Sequence, residues 1–349
     1  MTPVALSNAV LDRLAHVSSA RGISALGERL ASLDRWVRAD LAAFEVELAA
    51  IPRGARVVHQ AAHHLLDLRG KHLRPCCVAL ASRFGAGFTP AARGLAVAVE
   101  LVHSATLLHD DVVDVAERRR GEPAACTVYG NAAAIFAGDW LLVAALRRIA
   151  ATGVPGALDK MLAVIDEMIV AESIQLERRG RIASARADYF AIVEGKTAAL
   201  FRWAMVAGAR AAELPAAAEA ALERYGMHLG VAFQAVDDEL DFTASDGTGK
   251  DPLADLREGK MTFPLIVALE RDVALADELG ALLADEAPPH RDQLGAIAAR
   301  VRATGALAAT RALAEEHVGK ALAVLEELPS GAAREALVTV ALASLERQS

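Results

Sequence analysis

The chain has 349 residues, of which 54% are hydrophobic, 4% aromatic and 23% charged, and its formal net charge is -8. Apolar content this high excludes a mainly disordered protein, and even the richest apolar stretch is cut by charged residues before it reaches the roughly 20 positions that a membrane span needs. The negative charge argues against a nucleic-acid partner. The three cysteines include no Cys-x-x-Cys pair, which predicts reduced thiols in a cytoplasmic protein.

Helical spacing dominates the chain after its first 30 residues. Residues 1–30 mix serine, glycine and charge without an apolar stripe or the order of a signal peptide, and predict a loosely ordered arm. From Leu33 onward apolar residues recur every three or four positions, and no segment alternates as a strand. Residues 31–349 therefore predict one all-α domain. Breaks between its helices are predicted at 51–52, 85–87, 153–156, 214–215, 245–250, 287–289 and 329–331.

A first acidic cluster follows a long apolar run in the sequence LLHDDVVD. Asp110, Asp111 and Asp114 have the spacing Asp-Asp-x-x-Asp, which on a helix crowds the carboxylates toward one side. Like charges at that spacing destabilise a helix unless solvent or a cation compensates them. A solvated helix end is one interpretation, but the apolar run indicates a buried helix and hence carboxylates in a cavity wall.

A second cluster has the same spacing: Asp237, Asp238 and Asp241 again follow an apolar run, with Gln234 one turn upstream. Two clusters of identical form predict a shared metal site. Because only carboxylate oxygens are offered, the ion predicted is Mg²⁺, or Mn²⁺ in its place, and not Zn²⁺. Since Mg²⁺ is usually completed by water and phosphate oxygens, the clusters also predict a phosphorylated ligand.

Basic residues lie in short groups around these clusters. They occur in GKHLRP, ERRRG, EGKT and the glycine-rich segment 246–262. Arginine and lysine are the side chains that bind diphosphate oxygens. Each group alone is also typical of a solvated helix end, and His103 alone is typical of a core histidine. Their joint order around the aspartates favours a diphosphate site.

Five motifs carry a resemblance to a known family. They are GKHLRP, ELVHSATLLHDDVVDVAERRRG, EGKTAALF, LGVAFQAVDDELDF and GKDPLADLREGKMTFPLI. In this order they resemble the trans-isoprenyl diphosphate synthases, the polyprenyl synthetase family, over residues 33–349. The resemblance implies an isoprenoid synthase type I fold, a helical bundle around a deep central cavity, and a homodimer. It implies a prenyltransferase with three Mg²⁺ ions that adds isopentenyl diphosphate head-to-tail to an allylic diphosphate of C5 to C20.

The resemblance also implies roles for individual residues. Isopentenyl diphosphate would be bound by Lys71, Arg74, His103 and Arg120. The allylic diphosphate would be bound by Arg119, Lys196, Lys250 and Lys260, and the metal ions by Asp110, Asp111, Asp114, Asp237, Asp238 and Asp241. Catalysis would use Lys196, Thr197 and Gln234, the last two as neutral oxygens that stabilise a carbocation without reacting with it. One position departs from the family pattern: Leu253 stands where glycine is usual, which affects the path of the loop that contains Lys250.

Product length should depend on the side chains below the first aspartate. Val102, Ala105 and Thr106 lie one to two turns before Asp110, with Leu146 a deeper candidate on the next long helix. None of them is aromatic, so the sequence predicts a product longer than C15, that is C20 or longer. The alternative is that Ala105 is one more alanine in an alanine-rich helix.

Two other functions are predicted less well by the motifs. A non-catalytic subunit of a heteromeric synthase would be expected to lose aspartates or the Arg119–Arg120 pair, and this chain keeps them. A class I terpene cyclase would need a different second metal motif, since DDELD is the elongating form.

Overall fold

The computed structural model describes residues 24–68, 70–182, 185–243, 253–284 and 290–346. The prediction of an all-α fold is confirmed. The helices are α1 (Ser24–Ala49), α2 (Val57–Leu66), α3 (Leu73–Ser82), α4 (Pro90–Val113), α5 (Ala125–Tyr129), α6 (Asn131–Thr152), α7 (Ala157–Arg178), α8 (Arg186–Ile192), a π-helix (Val193–Ala198), α9 (Ala199–Ala211), α10 (Ala216–Thr243), α11 (Ala254–Arg257), α12 (Phe263–Arg271), α13 (Val273–Ala284), α14 (Arg291–Ala303), α15 (Ala306–Leu325) and α16 (Ala332–Leu345).

The helix boundaries agree with most of the predicted breaks. Those at 51–52, 85–87, 153–156, 214–215 and 329–331 fall between helices, while 245–250 and 287–289 lie outside the described residues. The arm was expected to extend to residue 30, but α1 begins at Ser24 and buries Leu26 and Leu30 in the core. Residues 1–23 lie outside the described part, so the division into an arm and a catalytic domain stays a prediction.

A short hairpin departs from the purely helical expectation. Strands β1 (Arg118–Arg119) and β2 (Glu122–Pro123) pair antiparallel, an addition to the all-α fold that the sequence analysis did not predict. The turn residues Arg120 and Gly121 both have positive φ, 54° and 87°, as in the tightest hairpin turns. Strands of two residues are too short to produce an alternating pattern in the sequence.

Small residues let neighbouring helices of the bundle, among them the central helix α4, pack closely against each other. A Cβ atom added to Gly138 of α6 would lie 3.0 Å from the carbonyl oxygen of Ala105. A Cβ atom on Gly208 of α9 would lie 2.4 Å from the carbonyl oxygen of Val78 on α3. Helices that approach this closely need alanine and glycine at the contact. Small residues at these contacts are therefore required by the packing.

The same helix α4 is the one described helix long and apolar enough to cross a membrane, and 72% of its apolar window is buried inside the protein. A buried core helix meets the same criteria of length and composition, so this is weak evidence for a membrane span.

Two glycines clamp the π-helix between α7 and α10. A Cβ atom on Gly195 would lie 2.7 Å from the Ala171 side chain, and one on Gly230 would lie 2.4 Å from the Ala198 Cα atom. Neither contact tolerates a larger residue without movement of the backbone. The π-helix that contains Lys196 and Thr197 is thus fixed in position by α7 on one side and α10 on the other.

Candidate active site

The first acidic cluster lies at the C-terminal end of α4 and meets cations from three other segments. Asp110 Oδ2 lies 3.4 Å from Lys196 Nζ, and Asp114 Oδ2 lies 2.8 Å from Lys260 Nζ. Arg179, which follows α7, forms an ion pair with the other oxygen of Asp114. Burial would raise the pKa of Asp114, but Lys260, Lys196 and Arg179 outweigh it and lower that pKa. Asp114 is therefore held as a carboxylate.

Asp111 differs from its two neighbours because it faces the protein interior. Its side chain is 1% exposed, and Arg119 Nε donates a hydrogen bond of 2.7 Å to its Oδ1. Burial raises the pKa of Asp111, and the Arg119 charge opposes that rise. This pair ties the hairpin to the end of α4. The predicted roles of Asp111 in metal binding and of Arg119 in diphosphate binding stay predictions.

The second cluster on α10 divides in the same way. Asp238 and Asp241 are buried and accept backbone hydrogen bonds, of 3.4 Å from Phe263 N and 3.1 Å from Ala254 N respectively. Burial, followed by the charge of Asp255, raises the pKa of Asp238 to about 7. Asp237 is half-buried. Two of these carboxylates thus hold the segment after α10, and Asp237 is the one with side-chain surface accessible to solvent.

Adjacent residues of the π-helix connect the two clusters. Lys196 faces Asp110 and forms an ion pair with Glu172 of α7. Thr197 Oγ1 donates a hydrogen bond of 2.8 Å to Gln234 Oε1, and Gln234 Nε2 donates one of 2.8 Å to Asp238 Oδ1. The wider turn of a π-helix, which is common at functional sites, places both side chains at the same cavity. The structure therefore brings Asp110, Lys196, Thr197, Gln234 and Asp238 together, as the motifs predict.

A cavity of about 120 Å³ lies between these residues. Its wall includes Lys196, Thr197, Gln234, Asp238 and Lys260. Burial would lower the pKa of Lys260, but Asp255, Asp114 and Glu258 raise it well above its ordinary value. Lys260 is therefore charged at neutral pH, and it gives the cavity wall a fixed positive charge of the kind that a site for an anion requires.

The aspartates suit Mg²⁺ by their chemistry but do not form a preformed cage. Within the described ranges, no three His, Cys, Asp or Glu side chains converge on one point that could hold a metal ion. Mg²⁺ commonly takes one or two carboxylates and completes its shell with water and substrate phosphates. Asp110, Asp114 and Asp237, which keep accessible surface, fit that type of site.

A second group of cations gathers around the middle of α4. The Arg74 guanidinium lies 4.6 Å from the centre of the Phe201 ring, and Arg120 Nη1 donates a 3.0 Å hydrogen bond to the carbonyl oxygen of Leu68. Gly70 makes room for this arrangement, since a Cβ atom there would lie 3.2 Å from Arg120 Nη1. Lys71, the next residue, is exposed. Three predicted ligands of isopentenyl diphosphate therefore share one region of the surface.

His103 belongs to this group and is neutral. Burial, followed by the charge of Arg74, lowers its pKa to about 3. A neutral imidazole can donate one hydrogen bond to a phosphate oxygen without adding charge. Beneath it the buried Glu100 pairs with His72, whose Nδ1 lies 3.2 Å from Glu100 Oε1.

Comparison with known proteins decides the family. The polyprenyl synthetase profile matches residues 55–301. The chain is 34% identical over 320 residues to heptaprenyl diphosphate synthase component 2 of Geobacillus stearothermophilus, covering 90% of this chain and 98% of that protein. It is 33% identical over 294 residues to the octaprenyl diphosphate synthase of Escherichia coli K12, covering 84% and 90%. The chain belongs to the polyprenyl synthetase family. The predictions of this family and of a prenyltransferase are confirmed.

The fold of this polyprenyl synthetase is also that of solved relatives. The crystal structure of the Caulobacter crescentus CB15 polyprenyl synthase complexed with calcium and isoprenyl diphosphate superposes with a TM-score of 0.85 at 33% identity. The match covers 91% of this chain and 97% of that one. The heptaprenyl diphosphate synthase of Staphylococcus aureus gives a TM-score of 0.84 at 26% identity, covering 90% and 99%.

The loop after the second cluster is described only in part. Lys250 lies outside the described residues, so its predicted role stays a prediction. Leu253, at the usual glycine position of the family, has a φ of 60°. The backbone therefore keeps the left-handed conformation that glycine adopts freely, although the side chain is leucine.

The residues predicted to control chain length lie deeper than the cavity. Val102 and Ala105 are buried in the core below Asp110, and Leu146 on α6 is partly buried against the same core. Thr106 Oγ1 donates a 2.8 Å hydrogen bond to the carbonyl oxygen of His103. None of these four lines the 120 Å³ cavity. Their role stays a prediction.

Sequence reasoning missed polar residues of α7 and α8 that complete the site. Glu172 pairs with Lys196, Arg179 pairs with Asp114, and Gln175 and Tyr189 line the cavity. A partial signal was present: positions 172 and 175 are both polar and lie three residues apart on one side of α7.

Proposed function

We propose that this enzyme adds isopentenyl diphosphate head-to-tail to an allylic diphosphate, with Mg²⁺, to form an all-trans polyprenyl diphosphate longer than C15. The observation that carries the proposal is the π-helix, where Lys196 reaches the first acidic cluster and Thr197 reaches the second through Gln234. The allylic diphosphate would lie between the clusters. Isopentenyl diphosphate would lie beside Arg74, His103 and Arg120.

The chemistry requires a site that stabilises departing negative charge and a transient carbocation. Metal ions held by Asp110, Asp114 and Asp237 would supply electrostatic stabilisation of the leaving diphosphate. Lys196 and Lys260 would donate hydrogen bonds to the diphosphate oxygens. Because Thr197 donates its hydroxyl hydrogen to Gln234, its oxygen lone pairs are left for the cavity. A neutral oxygen oriented in this way stabilises a nearby cation without forming a bond to it.

Deprotonation does not need a dedicated side chain in this arrangement. Asp110 faces Lys196, Asp114 faces Lys260 and Arg179, and Glu172 faces Lys196. Each of these carboxylates is therefore engaged by a cation. The departing diphosphate would accept the proton.

One assay tests the reaction. The purified chain is incubated with Mg²⁺, isopentenyl diphosphate and C5, C10, C15 or C20 primers in turn, and the dephosphorylated products are sized by chromatography. We expect elongation with at least one primer and its loss when Mg²⁺ is chelated.

Asp110→Ala and Asp237→Ala should each lose at least about 100-fold in kcat. Asp277→Ala, an exposed aspartate on α13, serves as the matched control. Absence of elongation with every primer would refute the proposal.

The chain-length part of the proposal has its own test. Ala105 and Val102 are small and lie below Asp110, where a growing chain would extend. Ala105→Phe should shorten the product distribution, with unchanged helicity by circular dichroism as the control for folding. An unchanged distribution would contradict a role for this wall.

The name of one relative supports a second candidate. The Geobacillus stearothermophilus protein is component 2 of a heptaprenyl diphosphate synthase, which indicates that related chains act with another component. A chain that requires a second component would be inactive when pure, whereas the proposal predicts activity for the chain alone.

We also propose that the chain forms a homodimer through an exposed apolar stripe on α6 and α7. Phe136 and Val143 are seven residues apart on α6, and Leu162, Ile169 and Leu176 continue at the same interval on α7. These side chains are 48% to 62% exposed. Apolar residues repeated every seven positions on contacting helices favour a helical partner surface. We name these five residues the α6–α7 stripe.

A further inference from the structure

We propose that His228 and His317 form a binding site for a divalent transition metal ion of the zinc class, separate from the aspartate clusters. The two histidines lie on α10 and α15, in the wall of an open cavity of about 640 Å³. Phe190, Glu194 and Glu316 line the same cavity. The reaction proposed above uses none of these residues.

The distance between the imidazoles carries the proposal. Their Nδ1 atoms lie 3.4 Å apart. Without a metal the two nitrogens form a long hydrogen bond whose donor depends on the tautomer; for comparison, N–H···O bonds in proteins are about 2.7–3.2 Å. Two nitrogens bound tetrahedrally to one Zn²⁺ at about 2.0–2.1 Å are themselves about 3.3–3.4 Å apart. The observed separation equals the edge of such a tetrahedron, so a zinc-class ion could replace the hydrogen bond without moving the rings.

The ring positions give a second, independent agreement. The ring centroids of His228 and His317 lie 5.2 Å apart, with the planes inclined by 70°. Two imidazoles that each bind a tetrahedral ion in the ring plane have centroids ~5.2 Å apart, from the same bond length. Phe190 stacks on His317, which helps to fix that ring.

The protonation states suit metal binding. Burial lowers the pKa of both histidines. For His317, the nearby His228 lowers the pKa further, to about 4. Both imidazoles are therefore neutral, the form that ligates metal ions. Mg²⁺, which prefers oxygen ligands, would not compete for them.

The cations around the pair are already engaged by other groups. The cavity wall contains Arg186, Arg271 and Lys320, and each already has a partner. Arg186 Nε donates to Glu270 at 2.8 Å, Arg271 Nη1 donates to the Thr304 carbonyl at 3.0 Å, and Lys320 pairs with Glu316 at 2.6 Å. The imidazole pair therefore offers nitrogen lone pairs to a metal ion in a wall whose cations are already paired.

The remaining coordination positions would be filled by water or by a carboxylate. No third protein ligand is in place at this pair in the part of the chain that the structure describes. Glu194 and Glu316 are exposed on the same wall and carry suitable oxygens. Binding would join α10 to α15, close to the π-helix that contains Glu194.

Zn²⁺ binding to the full chain tests the site. The metal-free protein is titrated with Zn²⁺ in excess Mg²⁺, which occupies carboxylate sites, and Co²⁺ serves as a spectroscopic probe of nitrogen ligation. We expect one bound Zn²⁺ and a raised melting temperature in the wild type. His228→Gln and His317→Gln should each weaken binding by roughly tenfold or more and abolish the shift in melting temperature.

The control is His290→Gln, an exposed histidine far along the chain at the start of α14, which should bind Zn²⁺ as the wild type does. If His317→Gln does not fold, His228→Gln decides alone, because His228 is only half-buried. Equal Zn²⁺ affinity in the wild type and the histidine variants would overturn the proposal. A Co²⁺ absorption spectrum that indicates oxygen ligands and no nitrogen ligands would also overturn it. Neither result depends on prenyltransferase activity.

Discussion

Leu253 shows how a departure from a family pattern is absorbed at a single residue. Its left-handed backbone conformation costs a non-glycine residue about 1–2 kcal/mol. Two hydrogen bonds to Asp241 compensate: Leu253 N donates to its carbonyl oxygen at 3.1 Å, and Ala254 N donates to its Oδ1 at 3.1 Å. The leucine side chain packs against the nearby apolar cluster. The left-handed conformation at position 253 is therefore kept at some cost in stability.

Replacing Leu253 separates backbone strain from packing. Leu253→Gly and Leu253→Ala both remove the side-chain packing, but only glycine removes the strain. Allowing for the greater freedom of glycine in the unfolded chain, we expect the glycine variant to be more stable than the alanine variant by about 0.5–1 kcal/mol. Urea unfolding of the two variants measures the difference. An alanine variant equal to or more stable than the glycine one would contradict it.

The buried pair of Glu100 and His72 gives the second residue-scale prediction, on pH. Burial would raise the pKa of Glu100, but His72 lowers it to about 2. Burial would lower the pKa of His72, but Glu100 raises it. The unfolded values are about 4.3 and 6.5. The pair therefore stabilises the fold fully between about pH 4.5 and 6.5. Below about pH 4.5 this stabilisation decreases, because Glu100 binds a proton in the unfolded chain. Above about pH 6.5 it decreases, because His72 releases a proton in the unfolded chain.

Glu100→Gln should accordingly lower the free energy of unfolding by about 3 kcal/mol near pH 5.5, and by less at pH 3 and pH 9. Unfolding curves across this range give the profile. Glu335→Gln removes an exposed ion pair with Arg29 and should change stability by less than about 1 kcal/mol at every pH. A difference between Glu100→Gln and wild type that does not vary with pH would contradict the pair.

At the scale of elements, the π-helix depends on glycines that the sequence does not mark as special. Gly230 lies in the interior of α10, where glycine is unfavourable by about 1 kcal/mol relative to alanine. It is required because a Cβ atom would lie 2.4 Å from the Ala198 backbone. This contact fixes the C-terminal end of the π-helix, next to Thr197.

Gly230→Ala should therefore destabilise the enzyme by about 1–3 kcal/mol in spite of its better helix propensity, and lower kcat by displacing Thr197. Gly295→Ala on α14 is the matched control, because no atom lies within 4 Å of the added Cβ. It should stabilise by about 0.5–1 kcal/mol and leave kcat unchanged. Urea unfolding and steady-state kinetics measure both. A Gly230→Ala variant as stable as Gly295→Ala would show that the close approach is not needed.

The elements also show where prediction from the sequence stops. Long helices and their breaks were predictable because apolar spacing and glycine or proline punctuation are local signals. The hairpin was missed because two-residue strands carry no period, and the π-helix because one extra residue in a turn leaves the surrounding pattern intact. At the site, the motifs indicated Asp110, Lys196 and Gln234. They could not indicate Arg179, whose partner Asp114 is distant in sequence.

At the scale of the whole molecule, the α6–α7 stripe is the surface that a second copy would cover. Ile169 is 62% exposed and Phe136 is 60% exposed, which is costly in water for side chains of this size. Ile169→Asp should convert a dimer to a monomer in light scattering at micromolar concentration. Val273→Asp, at a position 79% exposed outside the stripe, should leave the dimer intact. A wild type that is monomeric at every concentration would refute the homodimer.

The ion pairs that close the site have one more consequence. Lys196, Lys260 and Arg179 neutralise the carboxylates of Asp110 and Asp114 in the ligand-free chain. To bind alone, diphosphate would have to break these ion pairs and leave the carboxylates without their cations. To bind alone, Mg²⁺ would have to break the same ion pairs and leave the cations without their carboxylates. In the proposed function, binding of both ligands together would exchange these partners, with the cations passing to the diphosphate and the carboxylates to the metal. Each ligand would then raise the affinity for the other by the same factor, so that metal and substrate would bind cooperatively.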